Sequence, residues 1–375
     1  MIYIASDSDE KGEVLCRELI RRFGAGCCRV VSYGPGCKDA NEHLVRYGVE
    51  SLRIALAQAK EIPLEGVFTT ADCEEELRTL FLNGFEKGAD TGLEHLDKLC
   101  TFELGRLCVV TGIPGSGKSE FTDELMLRLC LRHGWKAAFF SPENMPLIYH
   151  MRKHIERLTG CRFHPRRLPE PLYNKAVRFL SENVYHILPE EDYTLDTILE
   201  KARELIRRRG IRLLVLDPFN RFDHQMSGKD SETNYIGNFL SRLLNFAVRH
   251  QCLVTLVAHP KKMDRDRATG RYLTPSLYDI NGSANFKNIC DFGLVVERDK
   301  AAGVARVHVE KVRFRQLGTG GTASFVFDTT NGRYLCCEEH PTAPNPKDRI
   351  VNVKYDSTCW LPEETPPENG SLHFK

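Results

Sequence analysis

The 375-residue sequence lacks several features that would each define a class of protein. Its 14 cysteines include no C-x-x-C pair, so the ligand spacing of a zinc ribbon is absent. No apolar run reaches the length of a membrane span, and no secretory signal precedes the first strand pattern. We therefore expect a soluble, intracellular protein in a reducing compartment, with free and mostly buried thiols.

Net charge is nearly absent as well. The 52 Lys and Arg residues are balanced by 51 Asp and Glu residues, which leaves a formal charge of +1. Any affinity for nucleic acid must therefore come from local clusters of basic residues. The apolar share of 42% is sufficient for a large core, and the length allows one large domain with appendages or two domains.

The most specific motif is Gly-Ile-Pro-Gly-Ser-Gly-Lys-Ser at residues 112–119, between an apolar strand pattern and an amphipathic helix pattern. Such a loop directs backbone N–H groups at a phosphate bound at the start of the helix. Lys118 is expected to reach the β- and γ-phosphates, and the Ser119 hydroxyl to bind Mg²⁺. The motif predicts a site for ATP or another nucleoside triphosphate, formed by Gly112, Ile113, Pro114, Gly115, Ser116, Gly117, Lys118, Ser119 and, from a later strand, Asp217.

Three polar residues follow apolar strand patterns. Asp217 ends one of them, where a carboxylate can hold Mg²⁺ through water or through Ser119. Glu143 is the candidate general base for the water that attacks the γ-phosphate, and His259 is a candidate γ-phosphate sensor. The alternatives are a capping carboxylate, a loop carboxylate bound to backbone N–H groups and a core histidine, respectively.

Hydrolysis also needs positive charge opposite the phosphate loop. Arg298 and Arg313 lie on the last strand patterns, which chain order places far along the sheet from the loop. An arginine donated by a neighbouring subunit would suit Arg313, and such a residue typically contributes about 10³–10⁵ in rate. A solvated charge on a strand is the alternative.

Strand and helix patterns alternate from Gly105 onward, which predicts an α/β core with a mostly parallel sheet. Its strands are expected at 107–111, 137–141, 213–217, 253–259 and 292–298. Further strand patterns at 304–313 and 323–327, with a turn signal at Asn331-Gly332, predict an antiparallel hairpin at the carboxyl end.

Four segments are expected along the chain. An isolated amphipathic helix at 71–84 is either a lid on its own domain or an arm that packs on a neighbouring subunit. The region after Cys337 is rich in Pro, Glu and Asn, which predicts a flexible tail. The segments are an amino-terminal α/β unit at 1–60, a linker with the helix at 61–92, the main domain at 93–340 and the tail at 341–375.

Together these motifs resemble the ring-shaped replicative DNA helicases of the DnaB and Twinkle class, including the phage primase–helicases. The resemblance covers about residues 91–334. It is carried by the phosphate loop, Ser141-Pro-Glu143-Asn, Leu-Asp217-Pro-Phe-Asn, Val-Ala-His259-Pro-Lys-Lys, Asp279-Ile-Asn-Gly-Ser-Ala284 and Glu310-Lys-Val-Arg313-Phe.

That resemblance implies a RecA-like ATPase core preceded by a partial toprim segment. It also implies roles for four residues: Glu143 as catalytic glutamate, His259 as γ-phosphate sensor, Arg313 as arginine finger and Arg298 as its helper. The helix at 71–84 is then expected to join subunits of a homo-oligomer, with a hexamer favoured.

The amino-terminal segment resembles the second half of a toprim domain. Asp7-x-Asp9-x-x-Gly12 and Lys38-Asp-Ala-Asn41 carry this resemblance. Two carboxylates one residue apart can flank a divalent metal. The upstream glutamate motif and the zinc-binding primase module do not occur in the sequence. We therefore expect Asp7 and Asp9 to be a remnant or a weak metal site, without primase activity.

In this class, loops that face the ring channel follow single-stranded DNA. The best candidate is the basic loop 259–271, and 281–288 and 227–229 are further candidates. Contacts there would be with phosphate, independent of sequence and sensitive to salt. A solvated surface is the commoner role of a single basic loop. The expected DNA-binding residues are Lys261, Lys262, Arg265, Arg267, Asn281, Lys287 and Asn288.

The sequence thus predicts an ATP-dependent helicase that moves on single-stranded DNA, 5′ to 3′ as the resemblance implies, and unwinds fork DNA. A recombinase-like or regulatory ATPase without unwinding is the alternative, and a non-enzymatic ring subunit is a third hypothesis. Primase, polymerase and single-strand-binding protein are candidate partners, and no membrane is expected. The expected location is bacterial or phage-directed cytoplasm, with the mitochondrial matrix as the alternative.

Overall fold

The chain forms two compact units, Met1–Phe85 and Glu86–Lys375. In the part of the chain that the computed structural model describes, no helix is both long and apolar enough to cross a membrane. The described residues are 1–62, 66–190, 192–224, 231–265, 267, 272–281, 284–340, 343 and 346–363.

The described residues of the first unit form a small α/β structure. Its sheet has one parallel and one antiparallel pairing, both made by the middle strand. The strands are β1 (Ile2–Ile4), β2 (Cys28–Val30) and β3 (Lys60–Glu61), and the helices are α1 (Glu10–Phe23), α2 (Ala40–Ala57) and α3 (Glu74–Asn83).

The described residues of the second unit form a nine-stranded sheet with helices. The strands of that sheet are β4 (Leu107–Thr111), β5 (Lys136–Phe140), β6 (Val184–His186), β7 (Ile211–Leu216), β8 (Leu253–Val257), β9 (Phe292–Asp299), β10 (Val304–Val312), β11 (Gly321–Phe327) and β12 (Tyr334–Cys336). A separate antiparallel pair consists of β13 (Glu338–Glu339) and β14 (Ile350–Val351). The helices are α4 (Glu94–Asp97), α5 (Lys118–His133), α6 (Leu147–Thr159), α7 (Glu170–Asn183), α8 (Leu195–Arg209), α9 (Glu232–His250) and α10 (Asn285–Ile289).

The strand order of the large sheet is β12-β11-β10-β9-β4-β8-β7-β5-β6. The pairings from β9 to β6 are parallel, whereas those from β9 to β12 are antiparallel. The predicted fold class, a mostly parallel α/β core with an antiparallel carboxyl-terminal extension, is therefore confirmed. The expected strands all form, with ends that differ by one or two residues.

The core lies on both faces of the central strand β4. Leu107 and Val109 pack in one buried cluster, and Cys108 and Val110 pack in the other. Since successive side chains of a strand point to opposite faces, this alternation shows that β4 is covered on both sides. Groups outside the core can therefore approach β4 at its two ends.

The position expected for Arg298 was wrong. Chain order suggested a site far along the sheet from the phosphate loop, but β9 pairs directly with β4, with Thr111 opposite Val295. Arg298 follows three residues later and lies beside the loop that begins at Gly112. Strand order in a sheet is set by tertiary packing, which chain order does not reveal.

The isolated helix forms close to its expected bounds. A capping box between Thr69 and Asp72 begins a short 3₁₀ turn that leads into α3. Leu77, Phe81 and Leu82 of α3 are 46%, 87% and 69% exposed. The helix therefore presents apolar side chains to solvent, as a subunit contact would require. The contact itself stays a prediction.

Part of the segment expected to be a flexible tail packs on the second unit. Leu361 is buried in the core, and the Trp360 ring lies against the guanidinium groups of Arg128 and Arg333. The fully buried Arg333 side chain donates hydrogen bonds to the carbonyl oxygens of Arg157 and Thr358, among others. Residues 356–361 thus form a strap that packs on the core. Residues 364–375 lie outside the described part of the chain.

We predict that Arg333→Met lowers the free energy of unfolding by about 3–5 kcal/mol, because several buried carbonyl oxygens lose their donor. Urea denaturation followed by circular dichroism measures this change. Arg208→Met, at an exposed arginine, is the matched control and should change stability by less than about 0.5 kcal/mol. Equal stability of the two variants would show that the strap does not depend on Arg333.

Candidate functional site

The phosphate loop connects the end of β4 to the start of α5. Gly112 and Gly117 have φ angles of 152° and 97°. A Cβ atom on Gly112 would lie 2.2 Å from the Val296 carbonyl oxygen, and one on Gly117 would lie 2.7 Å from the Tyr334 hydroxyl. Glycine is therefore required at both positions for conformation and for space.

Lys118 lies at the base of this loop and is buried. Its Nζ donates to the carbonyl oxygens of Gly112 at 2.8 Å and Ile113 at 3.2 Å. Burial lowers the pKa of Lys118 to about 8, and the nearby charges of Asp217 and Glu143 partly oppose this. Lys118, Asp217 and Glu143 therefore form one electrostatic group.

Asp217 directly follows β7 and is buried. Burial raises the pKa of Asp217 to about 6, and the nearby Ser119 side chain partly opposes this shift. A divalent cation beside these oxygens would favour the charged carboxylate, and hydroxyl and carboxylate oxygens are ligands that suit Mg²⁺. The buried Ser116 Oγ of the loop makes no hydrogen bond, which leaves it available to a phosphate oxygen. These residues fit a bound Mg²⁺–nucleotide.

Glu143 is brought to the same edge of the sheet by the turn after β5. Its Oε1 accepts a hydrogen bond from Arg221 Nε at 2.9 Å, and both side chains are exposed. Sequence reasoning missed Arg221, which lies in the turn after β7, directly beyond the motif that contains Asp217. A contact between residues 78 positions apart leaves no local pattern that could have revealed it.

His259 follows β8 at this edge and is half-buried. Burial, and then the charge of Lys118, lower the pKa of His259. The Asn281 N–H donates to the His259 carbonyl oxygen at 3.3 Å. His259, Asn220 and Lys261 line one surface pocket. His259 thus lies between the phosphate-loop group and the basic loop that follows.

Arg298 lies near the carboxyl end of β9, whereas Arg313 follows β10 and lies beside the amino end of β9. Arg298 lines a groove with Ile113 and Ser116 of the phosphate loop. Arg313 lies at the other edge, where its Nη1 is 3.1 Å from Asp291 Oδ1. Asp291 also accepts a hydrogen bond from the Leu107 N–H at the start of β4. Arg313 is therefore separated from its own phosphate loop by roughly the length of β4, about 13 Å.

The predicted DNA-binding residues divide into two groups. Lys261, Lys262 and Asn281 lie close to His259, and the exposed Arg265 stacks on Tyr272 with its Cζ 4.6 Å from the ring centre. Arg267 is exposed in the same loop.

Lys287 and Asn288 lie instead at the Arg313 edge. Lys287 pairs with Glu310, and the Asn288 carbonyl oxygen accepts from Lys311 and Arg313. The candidate segment 227–229 lies outside the described residues.

Another residue that sequence reasoning missed is Tyr334 at the start of β12. Its hydroxyl donates to the Gly117 carbonyl oxygen at 3.1 Å, and its N–H donates to Glu124 Oε2 at 2.7 Å. Tyr334 therefore fixes the end of the phosphate loop and the face of α5. The antiparallel extension, to which β12 belongs, thus contacts both the phosphate loop and α5.

In the first unit, the two toprim-like motifs lie side by side. The Ser8 N–H donates to the Lys38 carbonyl oxygen at 2.6 Å. Asp9 Oδ1 accepts from the Gly12 N–H and caps α1, and Asp7 and Asp9 are both exposed. The weak metal site expected there stays a prediction.

The fold and the groups around residues 112–119 define a P-loop ATPase of RecA-like architecture. The family described as AAA domain matches residues 73–265, over half of the chain. The chain therefore belongs to the AAA domain family.

Two curated relatives are similar to this chain over two thirds or more of its length. The sequence is 35% identical to "Twinkle homolog protein, chloroplastic/mitochondrial" of Arabidopsis thaliana over 375 positions, covering 94% of this chain and 52% of the relative. It is 22% identical to "Probable plasmid replicative DNA helicase" of Chlamydia psittaci over 273 residues, covering 67% and 56% respectively. The chain thus spans about half the length of each.

Solved structures share the fold. One that is described as an ATPase domain has a TM-score of 0.59 at 18% identity, covering 70% of this chain and 97% of that one. A second structure, described as that of a DnaB-like replicative helicase and its interactions with primase, has a TM-score of 0.58 at 16% identity. The match covers 79% of this chain and 73% of that one. The resemblance to the DnaB and Twinkle class is confirmed.

Removing the charge of Asp217 should change how stability depends on pH in the nucleotide-free chain. The folded-state pKa of about 6 lies above the ordinary value of 3.8, so the stabilising contribution of Asp217 is present at low pH and is lost as pH rises through about 6. Relative to Asp217→Asn, the native chain should lose about 2–3 kcal/mol between about pH 4 and pH 7.

Urea denaturation at a series of pH values measures this difference, and exposed Asp348→Asn serves as control. A constant offset between the native chain and Asp217→Asn across the range would contradict a raised pKa.

Proposed function

We propose that this chain is an ATP-dependent DNA helicase that moves on single-stranded DNA, 5′ to 3′, as a hexameric ring. The observation that carries the proposal is the connection at His259. The charges of Lys118 and Glu143 both act on this residue, and the chain continues from it through Pro260 to Lys261 and Lys262. A γ-phosphate bound to His259 would therefore act directly on the first residue of the basic loop 259–271.

The relatives support the same interpretation, because they are described as a Twinkle homologue and as replicative helicases. Since this chain spans about half of the curated relatives, their activity is a proposal for it. The same holds for primase as a partner, and for a polymerase or single-strand-binding protein. Absence of priming is likewise a proposal.

In the proposed reaction, the loop N–H groups and Lys118 hold the β- and γ-phosphates. Mg²⁺ held by Ser119 and Asp217 would supply charge neutralisation of the phosphates. Glu143 accepts a proton from the attacking water. Arg221 Nε donates to Glu143 Oε1, so in this proposal Glu143 Oε2 is the oxygen that accepts the proton.

In this proposal, Arg313 completes the site of a second copy of the chain. It lies at the amino edge of β4, paired with Asp291, and cannot reach its own loop. A neighbouring copy would have to donate it across an interface, with Arg298 beside the loop in the receiving copy. The exposed apolar face of α3 offers a surface for that association.

A compartment that contains DNA is required by this proposal. Bacterial or phage-directed cytoplasm is our preferred location, and the mitochondrial matrix is the alternative. The alternative function is a recombinase-like or regulatory DNA-binding ATPase. A forked-duplex assay separates the two functions, because only a helicase releases the displaced strand when ATP is present.

We expect Glu143→Gln to lower the rate of DNA-stimulated ATP hydrolysis by about 10²–10⁴-fold, because the general base is lost while the shape is retained. Nucleotide binding and oligomer mass should stay unchanged, as measured by fluorescent-nucleotide titration and light scattering. Glu182→Gln, an exposed glutamate on α7, is the control. Full turnover in Glu143→Gln would assign the base to another residue.

A charge reversal in the basic loop should separate DNA binding from basal turnover. We expect Lys261→Glu combined with Arg265→Glu to abolish stimulation of ATP hydrolysis by single-stranded DNA and to reduce the salt dependence of binding. Basal hydrolysis provides the readout of an intact fold. The double variant Arg208→Glu and Arg209→Glu, on exposed residues of α8, is the matched control. Unchanged stimulation would remove the loop from the DNA site.

A further inference from the structure

Behind the phosphate loop, α5 and α6 enclose a group of three potential metal ligands. Asp123 of α5 and His150 and His154 of α6 are all buried, and one ligand atom from each lies within 4.8 Å of the others. His150 and His154 are four residues apart, so both imidazoles lie on the same face of α6. None of the roles assigned above to the nucleotide-binding residues involves Asp123, His150 or His154.

The histidines of this group are poorly satisfied as hydrogen-bonding groups. Neither ring nitrogen of the buried His154 makes a hydrogen bond, and Nε2 lies 3.7 Å from Asp123 Oδ2. His150 Nε2 lies 3.1 Å from both Asp123 carboxylate oxygens, whereas His150 Nδ1 makes no hydrogen bond. Burying a polar group without a partner costs about 1–3 kcal/mol, and a bound cation would offset this cost at each nitrogen that it binds.

Spacing and chemistry suit a small divalent cation. A tetrahedron with bonds of about 2.0 Å has edges of roughly 3.3 Å, close to the separation of Asp123 from His150. Two imidazole nitrogens and one carboxylate oxygen form a donor set that suits Zn²⁺ better than Mg²⁺ or Ca²⁺.

The cationic neighbour of Asp123 has other partners as well. Arg157 Nη1 is 3.6 Å from Asp123 Oδ2, but the Arg157 side chain also pairs with Glu120 and donates to the Gly332 carbonyl oxygen. Arg157 therefore keeps two partners when Asp123 binds a metal. The His186 ring, 5.2 Å from that of His150 between centres, is a further imidazole close to the group for a fourth position.

We propose that Asp123, His150 and His154 bind a structural Zn²⁺ ion. This ion would join α5, which begins at Lys118, to α6, which follows the turn with Glu143. It would thereby fix the two helices that adjoin the nucleotide-binding lysine and the general base. The proposal concerns metal binding and does not depend on the helicase function.

The first test measures metal in the full chain after dialysis against zinc and then against metal-free buffer. We expect about one zinc per chain in the native protein and in His164→Asn, an exposed histidine outside the group. His154→Phe should lose that zinc. The His154 ring centre is 5.3 Å from that of Phe139, so a phenyl ring at position 154 would keep an aromatic contact.

The same variant distinguishes a metal ligand from an ordinary buried histidine. If His154 binds zinc, His154→Phe should lower Tm, and a strong chelator should lower Tm of the native chain but not of the variant. If His154 binds nothing, replacing it by an apolar ring should leave Tm unchanged or raise it, because unpaired buried nitrogens are removed. An unchanged or raised Tm together with no zinc in the native chain would overturn the proposal.

A cobalt spectrum keeps the proposal testable if His154→Phe fails to fold. The Co²⁺-loaded native chain should show a tetrahedral ligand-field spectrum without a thiolate-to-cobalt charge-transfer band. With 14 cysteines in the chain, such a band would place the metal on thiols and contradict the assignment. Zinc that persists in a folded His154→Phe would have the same meaning.

Discussion

The burial of opposite charges at one edge of a parallel sheet is the constraint on which this structure depends. Lys118 and Asp217 are both buried at this edge. Burial lowers the pKa of Lys118 and raises that of Asp217, which favours the neutral form of each group. Such a pair is costly unless further charges join it. A polyphosphate would favour the charged form of Lys118 and a divalent cation that of Asp217, so both groups suit a metal-bound nucleotide.

The opposite edge of the sheet has a different composition. Arg313, Lys311 and Asn288 gather at the start of β4 and β9, around the buried carboxylate of Asp291. The nucleotide-binding residues and this cationic group thus lie at opposite ends of the central strands. Copies arranged head to tail would bring the two together, and such a heterologous contact closes into a ring when the rotation allows.

Much of the fold could be predicted from the sequence because buried parallel strands require continuous apolar runs, as in Leu213–Leu216. The phosphate loop was equally evident, since its glycines and Lys118 are local in sequence. The position of Arg298 was not, because strand order depends on which helices cover which face. Contacts of Arg221 with Glu143, and of Tyr334 with Gly117, join distant segments and leave no local pattern. The strap at Trp360 was hidden by a composition that resembles disordered segments.

The central claim is that hydrolysis occurs in a cleft completed by a second copy of the chain, and a mixing experiment tests it most directly. Chains with Glu143→Gln and chains with Arg313→Ala should each be inactive as pure oligomers, because every cleft then lacks one group. Mixed oligomers contain clefts with Glu143 from one copy and Arg313 from the next. The account predicts that mixing restores DNA-stimulated ATP hydrolysis to about a quarter of the native rate. A mixture as inactive as either pure variant, although exchange of subunits is demonstrated, would contradict the account.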